Sequence, residues 1–149
     1  QPGMLLLDGI QDPGNLGTIL RTADALQIPV ALLEGCADPY SHKVVRASMG
    51  AVFRTQPVQT TWEQVKTACA AADIPVAVTA LSETSQTIRS AQVEKMAVVI
   101  GSEGQGVSRL VKEKSDFIVS IPMYGKVNSL NVSTAASVIL CHAARMQRT

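Results

Sequence analysis

Short apolar runs alternate along this chain with segments of helical period, and few architectures accept that alternation. Residues 4–7, 30–33, 52–58, 76–79, 97–100 and 117–121 are short runs rich in Val, Ile, Leu or Ala and read as strands. Between them, 15–26, 41–48, 61–72, 108–114 and 132–145 read as helices. Asn15 is a candidate N-cap for the first, and Thr60 or Thr61 for the third. Repeated strand-then-helix units imply an α/β fold, a mostly parallel sheet with helices on both faces. The unbroken run Val98-Val99-Ile100 suits a strand covered on both sides. Residues 82–90 are the most polar stretch and read as a mobile loop. At 149 residues the chain suits one domain, 1–149, and it shows no linker or repeat.

In such folds ligands gather beyond the carboxyl ends of the strands. Three segments there are unusual. The first is Asp12-Pro13-Gly14-Asn15-Leu16-Gly17, with Arg21 further along the same helix. Asp12-Pro13-Gly14 reads as a turn. Asn15 would then open a helix whose free N–H groups can meet an anion, and Arg21 shares a face with Thr18. A capped helix bearing a solvated arginine accounts equally well for the spacing. The second is Gly101-Ser102-Glu103-Gly104-Gln105-Gly106-Val107-Ser108. It mimics P-loop spacing, but Val107 stands at the lysine position, and the glycine order is wrong for a dinucleotide fingerprint. A glycine-rich turn whose backbone can approach a ligand remains, with Glu103 inside it. The third runs from Ile121-Pro122-Met123 to Asn128-Ser129-Leu130-Asn131-Val132-Ser133. Asn128 or Ser129 could cap the last helix. Asn131 then lies past the cap, where helices mildly disfavour it.

Composition narrows the partners. The net charge is +1, so any polyanion must be held by a local patch or by another domain. Aromatics are 3% of residues, which argues against a binder built on stacking platforms. Cys36, Cys69 and Cys141 are odd in number and scattered, neither a disulfide framework nor a metal cluster. No run approaches the ~18 apolar residues of a membrane span, and no signal peptide is visible. Reduced thiols fit a cytoplasmic protein. Gln1 at the start suggests a piece of something longer.

Together the three segments resemble, in order and spacing, the motifs of the SpoU (TrmH-like) branch of the SPOUT RNA ribose 2′-O-methyltransferases. The resemblance covers nearly the whole chain. It implies an α/β fold whose C-terminal segment threads a deep trefoil knot. It implies S-adenosylmethionine as cofactor, leaving as S-adenosylhomocysteine, with no metal. Gly101, Ile121, Met123, Ser129 and Leu130 would hold the cofactor, with Thr79, Ala80 and Leu81 on the adjoining loop. Arg21 would be catalytic, with Asn15, Glu103 and Asn131 positioning it and the substrate. It further implies a homodimer with RNA contacts from both subunits. Members often carry an N-terminal RNA-binding domain, which residues 1–149 do not contain. Ribosomal RNA stands ahead of transfer RNA as substrate, with a 23S-type guanosine the first candidate.

The family assigns deprotonation of the 2′-hydroxyl to the arginine matching Arg21. A free guanidinium titrates at ~12.5 or higher, so removing its proton at neutral pH costs roughly 7 kcal/mol. A cationic Arg21 that stabilises the developing alkoxide, or holds the neighbouring phosphate, avoids that cost. For the remaining RNA contacts, Lys43 and Arg46 share a helical face, and Arg109 and Lys126 lie beside the cofactor loops. A solvated surface explains Lys43 and Arg46 nearly as well. His42 and His142 are isolated. Val132, Ala135, Ala136, Ile139, Leu140, Ala143 and Ala144 form an apolar stripe suited to packing on the sheet. Two other readings stand beside the enzyme: a nucleotide-binding α/β module, and a catalytically silent RNA- or ribosome-binding domain. Val107 counts against the first and the intact motif trio against the second.

Overall fold

A computed structural model describes residues 3–79, 86–102, 109–126 and 130–147. Among these residues seven parallel strands form one sheet: β1 (Met4–Asp8), β2 (Val30–Leu32), β3 (Val58–Gln59), β4 (Val76–Thr79), β5 (Gln86–Thr87), β6 (Ala97–Gly101) and β7 (Phe117–Ser120). Their spatial order is β3-β2-β1-β6-β4-β7-β5. The chain builds outward from β1 to β3, returns on the far side with β4, and then inserts β6 between β1 and β4. That reversal beside β1 is a topological switch point, where ligands bind in open α/β sheets.

Side chains alternate across the sheet and divide the core in two. Leu5, Leu7, Val98, Ile100, Ala77 and Val119 face the larger half, under α1 (Pro13–Leu26), α2 (His42–Ala47), α3 (Val52–Thr55), α5 (Ile88–Ala91) and α7 (Val132–Gln147). Leu6, Val76, Val78, Ala97 and Val99 face the smaller half, under α4 (Trp62–Ala71) and α6 (Arg109–Lys114). The central strands are therefore buried on both faces, as their unbroken apolar runs require. The α7 stripe is buried at Val132, Ala136, Ile139, Leu140, Ala143 and Ala144, with Ala135 at its edge. Among the described residues no helix is long and apolar enough to cross a membrane.

Three expectations are corrected. Residues 52–58 are not one strand: Val52–Thr55 is helical and only Val58–Gln59 joins the sheet. Burial of Val52 and its N–H bond to the Ser48 hydroxyl outweigh the β propensity of the run. Pro57 disfavours helix at Gln56, which turns left-handed. The polar stretch 82–90 is not wholly loop, because Gln86–Thr87 pairs with β7 and Ile88–Ala91 is helical. The first helix begins at Pro13, not Asn15.

Candidate active site at the carboxyl edge of the sheet

Backbone register assembles the site. Asp8 ends β1 opposite Gly101 at the end of β6. Val78 pairs with Val99, and Thr79 with Val119. Gly101, Thr79 and the chain leaving β7 at Ile121 therefore end on three adjacent strands. Strands lie ~4.8 Å apart, so this edge is about 10 Å wide. The Thr79 hydroxyl donates to the Val99 carbonyl at 3.2 Å, tying β4 to β6 at this point. Ile121, Met123 and Leu130 are half-buried, and Ile121 packs against the larger core. Ile121 directly follows β7, two strands from Gly101, whose backbone can be approached closely. Ala80, Leu81, Glu103, Ser129 and the rest of the glycine-rich loop through Ser108 lie outside the described residues.

The helix termini distribute the polar groups differently from expectation. Asp12, not Asn15, caps α1, accepting from the Asn15 N–H through Oδ2 at 2.9 Å. Pro13 follows at the first helical position, where its missing N–H costs nothing. Asn15 thus sits in the first turn, half-buried, and its side-chain amide makes no hydrogen bond among the described residues. Asn131, expected beyond a cap at Asn128 or Ser129, stands directly before α7 and caps it. Its Oδ1 accepts from the Ser133 and Thr134 N–H groups at 2.9 and 3.3 Å and from the Ser133 hydroxyl.

Arg21 is exposed and has no hydrogen bond or ion pair among the described residues. It follows Gly14 and Thr18 on the outer face of α1, while Leu16, Ile19, Leu20 and Ala23 face the sheet. Asn15 falls with Thr22 on another flank, where the Thr22 and Ser137 hydroxyls meet across α1 and α7 at 3.5 Å. At 1.5 Å rise per residue, Arg21 stands about 12 Å down the helix from Pro13. No hydrogen bond joins Arg21 and Asn15 among the described residues.

The candidate RNA-contacting cations are exposed on separate elements. Lys43 and Arg46 are exposed on α2, whose own cap is Ser41. With His42 and Ala47 they line a cleft of about 330 Å3 against Asp12, Pro13 and Gly14. Arg46 Nη2 and His42 Nε2 are 2.8 Å apart. Arg109, at the start of α6, and Lys126, beyond β7, are both exposed. A second cleft, about 540 Å3, opens at the ends of β2 and β3 beside Cys36. Burial, reinforced by nearby Asp8, pushes the Cys36 thiol up despite backbone hydrogen bonds from Ile10 and Gly9. No group of three or more potential metal ligands exists among the described residues.

Sequence reasoning missed two features of this edge. Asp12 was legible as a cap from the Asp-Pro pair at a helix start. Gly17 carried no such signal, and its role is steric: a Cβ there would strike Ala47 and come within 2.8 Å of the Ser48 nitrogen.

Comparison with known proteins agrees with this fold. The profile of the SpoU rRNA Methylase family matches residues 2–141. This chain belongs to that family. It is 36% identical over 140 residues to the 23S rRNA (guanosine(2553)-2'-O)-methyltransferase RlmP of Bacillus subtilis, covering 93% of this chain and 56% of RlmP. The SpoU methyltransferase AviRb of Streptomyces viridochromogenes, solved with the cofactor AdoMet, superposes with a TM-score of 0.85 at 31% identity, covering 98% of this chain and 60% of that one. The AdoMet-bound rRNA methyltransferase of Sinorhizobium meliloti superposes at 0.87 with 33% identity, covering 98% and 57%. The SpoU chain thus spans somewhat over half the length of these relatives.

Proposed function

We propose that this chain is the catalytic domain of an S-adenosylmethionine-dependent RNA ribose 2′-O-methyltransferase. The observation that carries the reading is the strand register, which sets Gly101, Thr79 and Ile121 along one edge in a chain of the SpoU family. When bound, the cofactor supplies a methyl group already activated on a sulfonium. The half-buried Ile121, Met123 and Leu130 would offer it apolar surface and exclude water, and Gly101 would admit it close to the backbone. Ala80, Leu81 and Ser129 are assigned to the same cofactor by the family likeness.

The protein must align a ribose oxygen and manage one proton. The side-chain amide of Asn15, without a hydrogen bond among the described residues, would orient the ribose. Asn131 acts by positioning the start of α7. Glu103 keeps its proposed positioning role. Arg21, as a cation, stabilises the developing alkoxide or holds the adjoining phosphate. Its place on the outer face of α1 favours action from a second copy, in a homodimer that shares its sites. If so, an inactive Arg21→Ala chain and an inactive Leu130→Asp chain regain activity when co-expressed. Arg21 acts within its own chain if they do not.

Lys43, Arg46, Arg109 and Lys126 would meet RNA phosphates. Ribosomal RNA is the proposed substrate, with guanosine the proposed nucleoside; the Bacillus subtilis relative's name supports both. We also infer the trefoil knot. The family likeness carries this inference, and Thr79 and Gln86 stand level with Val119 on opposite sides of β7, so β7 lies between two strands that precede it in the chain.

Titration calorimetry tests the cofactor, with S-adenosylmethionine binding expected and ATP or NAD not; the reverse preference overturns the reading. Arg21→Ala is expected to bind S-adenosylmethionine normally and lose about 10²–10³ in methylation rate. Methylation at the native rate would overturn its role.

A further inference from the structure

The chain contains one Trp, two Tyr and two Phe. Two of these rings, Tyr40 and Phe53, lie against each other at the surface, 47% and 57% exposed, with centroids 6.0 Å apart. The backbone beside each is tied down. Arg54, next to Phe53, donates its Nε to Asp24 Oδ2 at 2.8 Å and ties α3 to α1. The Tyr40 N–H donates to Asp38 Oδ1 at 2.9 Å. An exposed ring pair in a chain this poor in aromatics calls for an occupant.

The neighbouring charges indicate which. Tyr40 is three residues before Lys43, so their Cα atoms are at most about 11 Å apart. Lys43, Arg46 and His42 line the cleft against α1. Asp12 is the one acid lining it, and its Oδ2 is engaged by the Asn15 N–H. Flat rings beside cations match an unpaired base with its flanking phosphates.

We propose that Tyr40 and Phe53 form a stacking platform for an unpaired RNA base, with Lys43 and Arg46 holding the phosphates beside it. The proposal rests on the reading of the chain as an RNA methyltransferase and specifies the RNA as single-stranded at this point. It reverses the expectation from composition: few aromatics suffice when two of them meet at the surface.

The test measures fluorescence anisotropy with labelled oligoadenylate and with a blunt RNA duplex of equal length. Tyr40→Ala and Phe53→Ala are each expected to weaken oligoadenylate binding about tenfold. Duplex binding, S-adenosylmethionine binding and the salt slope should be unchanged. Lys43→Ala should instead lower the salt slope by about one. Tyr40→Trp should restore affinity. Ring variants that bind oligoadenylate as tightly as the parent overturn the platform. So do ring variants that lose self-association in sedimentation while RNA affinity holds, which would make the patch an interface between copies. A parent chain that binds S-adenosylmethionine but neither binds nor methylates RNA overturns the RNA reading and the platform together. A parent that methylates RNA beside unaffected ring variants overturns the platform alone.

Discussion

Asn15 and Asn131 both stand at the start of a helix, yet only Asn131 caps one. Asp12 takes the cap of α1, which leaves the Asn15 amide available to a substrate. The two side chains should therefore separate on mutation. Asn131→Ala is expected to lower stability by about 1 kcal/mol in urea unfolding, with Asn131→Asp restoring it, since either residue accepts the same N–H groups. Asn15→Ala should change stability by less than about 0.5 kcal/mol while slowing methyl transfer. The distinction was half legible. Asp and Asn are equally good caps, and the discriminating signal was Pro13, which fits the first helical position. At the other end, nothing local said where α7 begins, so Asn131 was recognised as unusual without its role.

Among the elements, the contact between α1 and α2 governs where the Lys43–Arg46 cleft lies. Gly17 makes that contact possible, because any Cβ there collides with the backbone of Ala47 and Ser48. Gly17→Ala is expected to cost about 1–3 kcal/mol in thermal unfolding. It should also weaken RNA binding by displacing α2, with S-adenosylmethionine affinity retained at the separate strand edge. An unchanged melting temperature would show that α2 shifts freely. Other elements followed from local signals. α4 carries its full capping box, Thr61 with Gln64, within the predicted stretch. The stretch 52–58 misled because a β-branched and aromatic run is decided by what it packs against. Here Val52 is buried and its N–H donates to the Ser48 hydroxyl, while Phe53 turns outward.

The molecule as a whole places Cys36 and Cys69 where burial raises both thiols above their ordinary value of 9.0. Raised acids keep their protons in the folded state after the unfolded chain has released them. The unfolded state then binds fewer protons, so stability falls with rising pH. The contribution is fully present below the unfolded value and is lost as pH climbs from about 9 through the folded values. Urea midpoints are expected to drop over that alkaline range and to drop less in a Cys69→Ala chain. Exposed Cys141 should be alkylated before the other two at neutral pH, as peptide mass analysis would show.

From its sequence alone this chain was determined to be α/β, with its central strands, its long helices and three polar loops at one sheet edge. Those features arise from periods of two and 3.6 residues and from caps, which act between near neighbours. The tertiary structure decided the rest. Strand order depends on which apolar faces bury each other across the chain, so nothing local placed β6 between β1 and β4. The same long-range packing set Arg21 on the outer face of α1 and brought Tyr40 and Phe53, thirteen residues apart, into one exposed pair. Helical period tells which residues share a face. Only the packed sheet tells which face meets solvent, and there the chain keeps its arginine and its two rings.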